Sequence, residues 1–417
     1  RDHAYFLKEA RKLRKHILLE NEEKILNIKN VNGIHAMERI YSQITSGMSF
    51  SWKSGGKTTR VSEEPLRKHI LGEDPHIRKA AYDSLWNEYG KQNELLGEIY
   101  RSIVSDTWNE EMDLRKYKSP LSVRNIANDL SDSTVETFLG VCEENTRVFQ
   151  DYFAWKAKEL NYSNSRYHIY APLPQVKQKW KFEEGYQIVL NTFHSFSPRF
   201  GTEAARVRDT HRMDVPVRPN KRNGAYTFGV EPKDPCFILY NWAGTYNDVS
   251  TLAHELGHAI HFQLARDHSV FVNHAPLVIA ETATIFSEMI LAEQLMEEKQ
   301  SDAFTRAVLS TQIQDAFASI PRQVYFTRFE QQAFDLIRAG ATIPEVNTAY
   351  FNTLRTQFGK KMDIPENARY EWGMVGHMFE HPFYTYSYAF GQLLVYAFFE
   401  RYQKEGASFV KDYTRFL

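Results

Sequence analysis

The sequence predicts a mainly α chain, and three observations predict it. Apolar residues recur at i, i+3, i+4 spacing over long stretches, as in Tyr82, Leu85, Trp86 and Tyr89 and again in Ile99, Tyr100, Ile103 and Val104. Extended patterns are few and short. The glycine fingerprints and regular strand spacing of a doubly wound α/β fold are absent.

Taken in order, Phe6, Ala10, Leu13 and Ile17 share one helical face. Met37, Ile40, Tyr41 and Ile44 share another, with Asn32-Gly33 as the break between them. Phe50-Ser51-Trp52 and Thr58-Thr59-Arg60-Val61 flank Ser54-Gly55-Gly56, which is hairpin chemistry near 50–61. Tyr117-Lys118-Ser119-Pro120 interrupts the helices and suggests a boundary, giving an N-terminal helical lobe over 1–120 and a second domain over 121–417. Ser133-Thr134-Val135-Glu136 reads as a capping box ahead of Val135, Phe138, Leu139 and Cys142. Three extended patterns, Tyr167 to Pro172, Lys221 to Phe228 and Pro235 to Tyr240, suggest a small sheet whose edge can pair with a peptide backbone. Asp302 to Gly340 is helical again, with Pro321 as a kink and Arg328-Phe329-Glu330 near its end.

Composition narrows the function classes. The 417 residues are 42% hydrophobic, enough for a large core and for two or three domains or one large multi-lobed unit. A net charge of −1 argues against a nucleic-acid partner, which needs clustered Lys and Arg; the runs Arg11 to Lys15 and Arg218 to Arg222 are short and read as surface. Two cysteines, Cys142 and Cys236, sit in apolar patterns, so a reducing, cytoplasmic setting is expected rather than a disulfide framework. No apolar run is long enough to span a membrane, and no signal peptide precedes the first helix. The chain begins at Arg1 without a methionine and stops at Leu417 inside an apparent helix, so further segments are expected at both ends.

The chemistry concentrates in Asp248 to Glu288. His254-Glu255-Leu256-Gly257-His258 is an H-E-x-x-H pattern. On a helix the two histidines lie on one face, about 6 Å apart along the axis, and can turn one nitrogen each to a single Zn²⁺. Glu255, one position on, is aimed beside the metal, as a general base requires. Asn247 or Asp248 offers an N-cap for a helix beginning near Val249, and Ala280-Glu281-Thr282-Ala283-Thr284 opens a second helical pattern able to supply a third ligand. A metzincin third histidine is excluded, because Leu264 stands at its place. His261, one turn beyond His258, fits a packing role beside a ligand or a contact to substrate. The bland alternative is three polar residues on a partly buried helix.

His254 to His261, followed by Ala280-Glu281-Thr282-Ala283, resembles the zinc oligopeptidases related to thimet oligopeptidase, most closely the oligoendopeptidase F branch. The resemblance implies one Zn²⁺ per chain held by His254, His258 and Glu281, with Glu288 close by, orienting a ligand histidine. It extends to His377-Met378-Phe379-Glu380-His381-Pro382-Phe383-Tyr384-Thr385-Tyr386-Ser387-Tyr388, which is similar to the family's substrate-binding His and Tyr segment. His377 and Tyr388, with Tyr384 next, are then the expected oxyanion donors. Periodicity alone would make this segment a helix with an aromatic core stripe, Tyr384 and Tyr388 sharing a face and Tyr386 pointing elsewhere.

By the same resemblance, residues 121–417 are a gluzincin-type catalytic domain in a two-lobed helical fold, with a small sheet beside the active-site helix and a deep internal channel. The function implied is zinc-dependent endopeptidase action on short peptides, with the oligomeric state left open. The rivals are a carboxypeptidase or dipeptidyl carboxypeptidase, for which Arg322, Arg328 and Arg369 are available to hold a free carboxylate, and a non-catalytic peptide binder.

Overall fold

The computed structural model describes residues 2–54, 56–173, 178–218, 221, 224–234, 236–298 and 301–417. Gly55, Arg222, Asn223 and Pro235, which belong to the expected hairpin turn, basic run and strands, lie outside the described residues. The chain is mostly helical, as its periodicity requires, and divides into two compact units. One gathers Arg1–Arg11, Pro174–Ile313 and Phe390–Leu417; the other gathers Lys12–Leu173 and Gln314–Ala389. The units are therefore discontinuous in sequence, whereas the division at residue 120 follows chain order.

In the second unit the helix Pro75–Thr107 is the spine. Asp74 caps it by accepting from the His76 and Ile77 N–H groups, and Pro75 occupies the first turn, where a missing N–H costs nothing. Tyr82, Leu85, Trp86, Tyr89, Tyr100, Ile103 and Val104 form its buried face, as their spacing predicts. Helices Pro321–Arg338 and Ile343–Phe358 pack against it. The hairpin is present: β1, Phe50–Ser54, pairs antiparallel with β2, Lys57–Val61.

Four local expectations need correction here. The helix Asp132–Glu144 is capped by Ser131, whose hydroxyl accepts from Thr134 N–H, two residues before the expected cap. Residues 167–172 form no strand, because Arg166–His168 closes a 3-10 turn. Pro321 starts a new helix rather than kinking one. The first helix ends at Leu13, so Ile17 leaves the stripe and is exposed, while His16 is buried with Nδ1 2.8 Å from the Arg115 carbonyl.

The first unit packs helices Phe182–Phe196, Pro198–Asp209, Tyr246–Leu264, Thr282–Glu297 and Ala407–Phe416 around one core. Its sheet has three strands: β3, Met213–Asp214; β4, Tyr226–Phe228; and β5, Phe237–Leu239, in the order β3-β5-β4. β3 is parallel to β5 and β4 antiparallel to it. The small sheet thus exists beside the motif helix, with Met213–Asp214 in the place expected for residues 167–172. Both cysteines are buried and unpaired.

Candidate metal centre

The motif helix, Tyr246–Leu264, begins earlier than expected. Thr245 is its cap: its hydroxyl accepts from Asp248 N–H at 3.3 Å, and Asp248 Oδ2 accepts from Thr245 N–H at 2.7 Å. Val249, Leu252, Ala253, Leu256, Ala259 and Ile260 have no exposed surface and bind the helix to the core, each large side chain contributing about 1.5–3 kcal/mol. Their burial turns the opposite stripe, His254, His258 and His261, to one side.

The third candidate ligand arrives on a break. A short helix, Leu277–Ala280, ends at Glu281, whose backbone (φ −88°, ψ 5°) separates it from the helix Thr282–Glu297. Glu281 therefore precedes that helix instead of lying within it. Its closeness to the histidines depends on Gly257, where a Cβ would stand 2.8 Å from the Ala283 carbonyl oxygen and 2.8 Å from Thr284 Cα. Nothing larger than a hydrogen fits between the two backbones.

His254 Nε2 lies 3.3 Å and His258 Nε2 3.5 Å from Glu281 Oε2, and one ligand atom from each of the three residues falls within 4.8 Å of the others. Atoms bound at 2.0–2.1 Å around a tetrahedral ion stand about 3.3–3.4 Å apart, so this donor set fits Zn²⁺. His254 Nδ1 donates to Glu288 Oε1 at 2.6 Å, which leaves Nε2 free to ligate, and Ser250 steadies the other Glu288 oxygen at 3.1 Å. Thr284 donates to Glu281 Oε2 at 2.8 Å.

The ionisation of the cluster follows from these contacts. Burial opposes charge on His254, but hydrogen bonds to Glu281 and Glu288 outweigh it and raise the ring to about 10. Burial likewise opposes charge on Glu281, yet His254 and His258 hold it at about 2. A cation bound here would take the place of the proton on His254 Nε2, and the Glu281 carboxylate is already in the charged form a ligand needs.

Glu255 is 5% exposed and stands apart from the three ligands. Burial raises its carboxyl, and Thr227 of β4 partly offsets this by donating to Oε2 at 2.7 Å. The raised value suits a group that must take and release a proton. His261 lines a cavity of about 160 Å³ with Thr227, His258, Phe262, Asn273 and Ala280, and burial lowers its ring to about 4.

The second cluster belongs to the second unit. A short helix, Gly376–Glu380, is followed by a turn in which Phe383 has φ +58°, and the next helix starts at Tyr386. Tyr384 therefore precedes the helix rather than sharing its face. The rings still meet: His377 stacks on Tyr384 at 5.2 Å, Tyr384 meets Tyr388 edge-on at 5.1 Å, and His377 Nε2 lies 3.2 Å from the Tyr388 hydroxyl. Tyr386 points elsewhere, donating to Asn125 Oδ1 at 2.9 Å in the core.

Comparison with known proteins settles the family. Residues 71–417 match the profile of Peptidase family M3, and residues 1–50 that of Oligopeptidase F. The chain belongs to Peptidase family M3. It is 26% identical over 323 residues to Oligoendopeptidase F, chromosomal, of Lactococcus lactis subsp. cremoris, covering 76% of this chain and 53% of the relative. It is 24% identical over 425 residues to Oligopeptidase PepF of Bacillus subtilis, covering 100% of this chain and 62% of the relative. The chain thus spans between half and two thirds of these relatives. The oligoendopeptidase-F crystal structure from Enterococcus faecium shares the fold, with a TM-score of 0.77 at 16% identity over 99% of this chain and 69% of that one. This M3 chain also has Thr227, Ser250 and Thr284 holding the site's carboxylates, and none of the three stood out in the sequence. β4 alternation placed Thr227 on a face, but not against Glu255.

Proposed function

We propose that this M3 chain is the catalytic part of a zinc-dependent endopeptidase that cuts internal bonds of short peptides. The observation that carries the reading is the convergence of His254, His258 and Glu281, with Glu255 buried beside Thr227. A bound Zn²⁺ would supply Lewis-acid polarisation of the scissile carbonyl and a more acidic water. Glu255 takes the proton of the attacking water and passes it to the departing amine nitrogen. Glu288 fixes the His254 tautomer. His377 and Tyr388, with Tyr384 next, donate hydrogen bonds to the oxyanion.

Endopeptidase action is favoured over a carboxypeptidase reading by the arginines. Arg328 is engaged by Glu136 and Glu143, and Arg369 pairs with Glu366. Arg322 donates to the neutral Tyr170 hydroxyl and stays the one of the three through which the carboxypeptidase reading would act. Residues 121–417 are read as the catalytic domain and 1–120 as a helical lobe, with a channel that admits peptides and excludes folded proteins. A cytoplasmic setting suits the two unpaired cysteines. Among the described residues no helix is long and apolar enough to cross a membrane.

The test is cleavage of an internally quenched peptide of about eight to ten residues, with and without a chelator, with the cut site read by mass spectrometry. Internal cleavage that stops with chelator and returns with Zn²⁺ is expected. Release of C-terminal residues or dipeptides alone would establish the rival reading, and rapid digestion of long, intact casein would overturn the channel.

A further inference from the structure

Glu330 is a buried acid of the second unit that the proposed function does not use. It lies on the helix Pro321–Arg338 with no exposed surface, and no arginine or lysine forms an ion pair with it among the described residues. Its Oε1 accepts from the Phe383 backbone N–H at 2.8 Å, while Oε2 makes no hydrogen bond of normal geometry, the Thr385 hydroxyl being the other donor that faces the carboxyl. Burying an acid this way is costly, and an apolar side chain would pack the same space without the cost. Something other than stability accounts for it.

Phe383 gives the reason. Its φ of +58° is a left-handed conformation that a bulky side chain rarely adopts, so the turn between His377 and Tyr388 has to be held from outside. Glu330 holds the N–H at its centre. Arg124, from the helix Pro120–Ala127, points at the Pro382 carbonyl with nitrogens at 3.4 and 3.5 Å, one residue before. We propose that Glu330, seconded by Arg124, is a positioning residue that fixes the left-handed turn at Phe383 and thereby presents His377, Tyr384 and Tyr388 as one donor cluster. The proposal rests on the reading of those three side chains as oxyanion donors.

The surroundings agree with an acid kept neutral for this purpose. Arg124 faces Glu330 from one helix, Tyr100 from the helix Pro75–Thr107, and Thr385 from the turn itself. Thr327, on its own helix, meets Thr385 hydroxyl to hydroxyl at 2.9 Å. The Tyr100 hydroxyl is also buried without a partner. Burial pushes the Glu330 carboxyl up to about 8, with the Phe383 N–H, Arg124 and Thr385 pulling it back by less. The neutral carboxyl keeps an acceptor for Phe383 and adds no charge beside the tyrosines.

The test compares side chains of like size with and without the acceptor. Glu330→Gln keeps it and Glu330→Met removes it; Arg124→Met removes the second hold, together with the guanidinium that lies 5.9 Å over the Tyr384 ring. Each is assayed for kcat and KM on the quenched peptide, per zinc-loaded molecule, beside Tyr388→Phe. Glu330→Met and Arg124→Met are expected to lower kcat by about ten- to a hundredfold with KM little changed, and Glu330→Gln to stay within about threefold of wild type. A wild-type kcat in both methionine variants, or a Glu330→Gln as slow as Glu330→Met, would overturn the proposal. If Glu330→Met does not fold, Arg124→Met and Glu330→Gln decide it by the same criteria. A wild-type kcat in Tyr388→Phe would instead remove the donor reading, and this inference with it.

Discussion

The two chemical clusters of this M3 chain are built on opposite principles. Around His254 the geometry is made by helical periodicity: two histidines four apart, a core face that fixes their direction, and a second helix brought close at Gly257. Around His377 the geometry is made by a turn that the chain does not favour by itself, at Phe383, and is fixed by Glu330 and Arg124 from distant helices. The histidines of the first cluster are set within one helix, and packing adds only the carboxylate brought to them. The second exists only because the rest of its unit is folded.

Breaking each cluster should therefore look different. The largest effect is expected at Glu255→Gln, which should retain zinc yet lose about 10²–10⁴ in kcat, because the base goes while the ligands stay. Metal analysis beside kinetics checks it, and loss of zinc would make Glu255 a structural residue. Tyr388→Phe should cost about 10²–10³ in kcat with unchanged zinc content, the signature of a donor made useful in the transition state.

Smaller effects sharpen the contrast. Glu288→Gln should weaken zinc binding by about ten- to a hundredfold, measured by competition with a chromogenic chelator, since an uncharged amide oxygen is a weaker acceptor for His254 Nδ1–H and the amide can turn its NH2 to the ring instead. Gly257→Ala should destabilise the fold by about 1–3 kcal/mol in a denaturant titration, because its methyl meets backbone rather than a side chain that can move.

A last effect concerns pH. Glu330 has a folded value near 8 against 4.5 for the free group, so the fold keeps a proton that the unfolded chain releases. Stability is therefore lost as pH rises from about 4.5 to about 8 and levels off above. Glu330→Gln has no such proton, and its Tm should gain on wild type by about a few degrees across that window. Parallel Tm curves would mean Glu330 is ionised throughout.

Much of the first cluster is legible in the sequence. The H-E-x-x-H spacing placed His254, Glu255 and His258 on the motif helix, and the resemblance pointed to Glu281 and Glu288. The cap was misplaced, because Thr245 and Asp248 form a reciprocal pair that single-residue preferences do not reveal. The break at Glu281 was also missed, since nothing in Ala280-Glu281-Thr282 signals one. Residues 167–172 read as extended from the sequence and so suggest the third strand. Tertiary contacts chose Met213–Asp214, whose pairing with Ile238 and Leu239 completes the sheet.

By itself, then, the sequence determined the mainly α class, the helical spine of the second unit and the direction of the histidine stripe, because each depends on a period repeated within one helix. Only the tertiary structure decided what no period encodes. It set Thr227 against Glu255, Gly257 against Ala283, and Glu330 against the Phe383 N–H. These are contacts between elements far apart in the chain, and their geometry depends on how helices pack, which is fixed by the whole core and not by any segment of it.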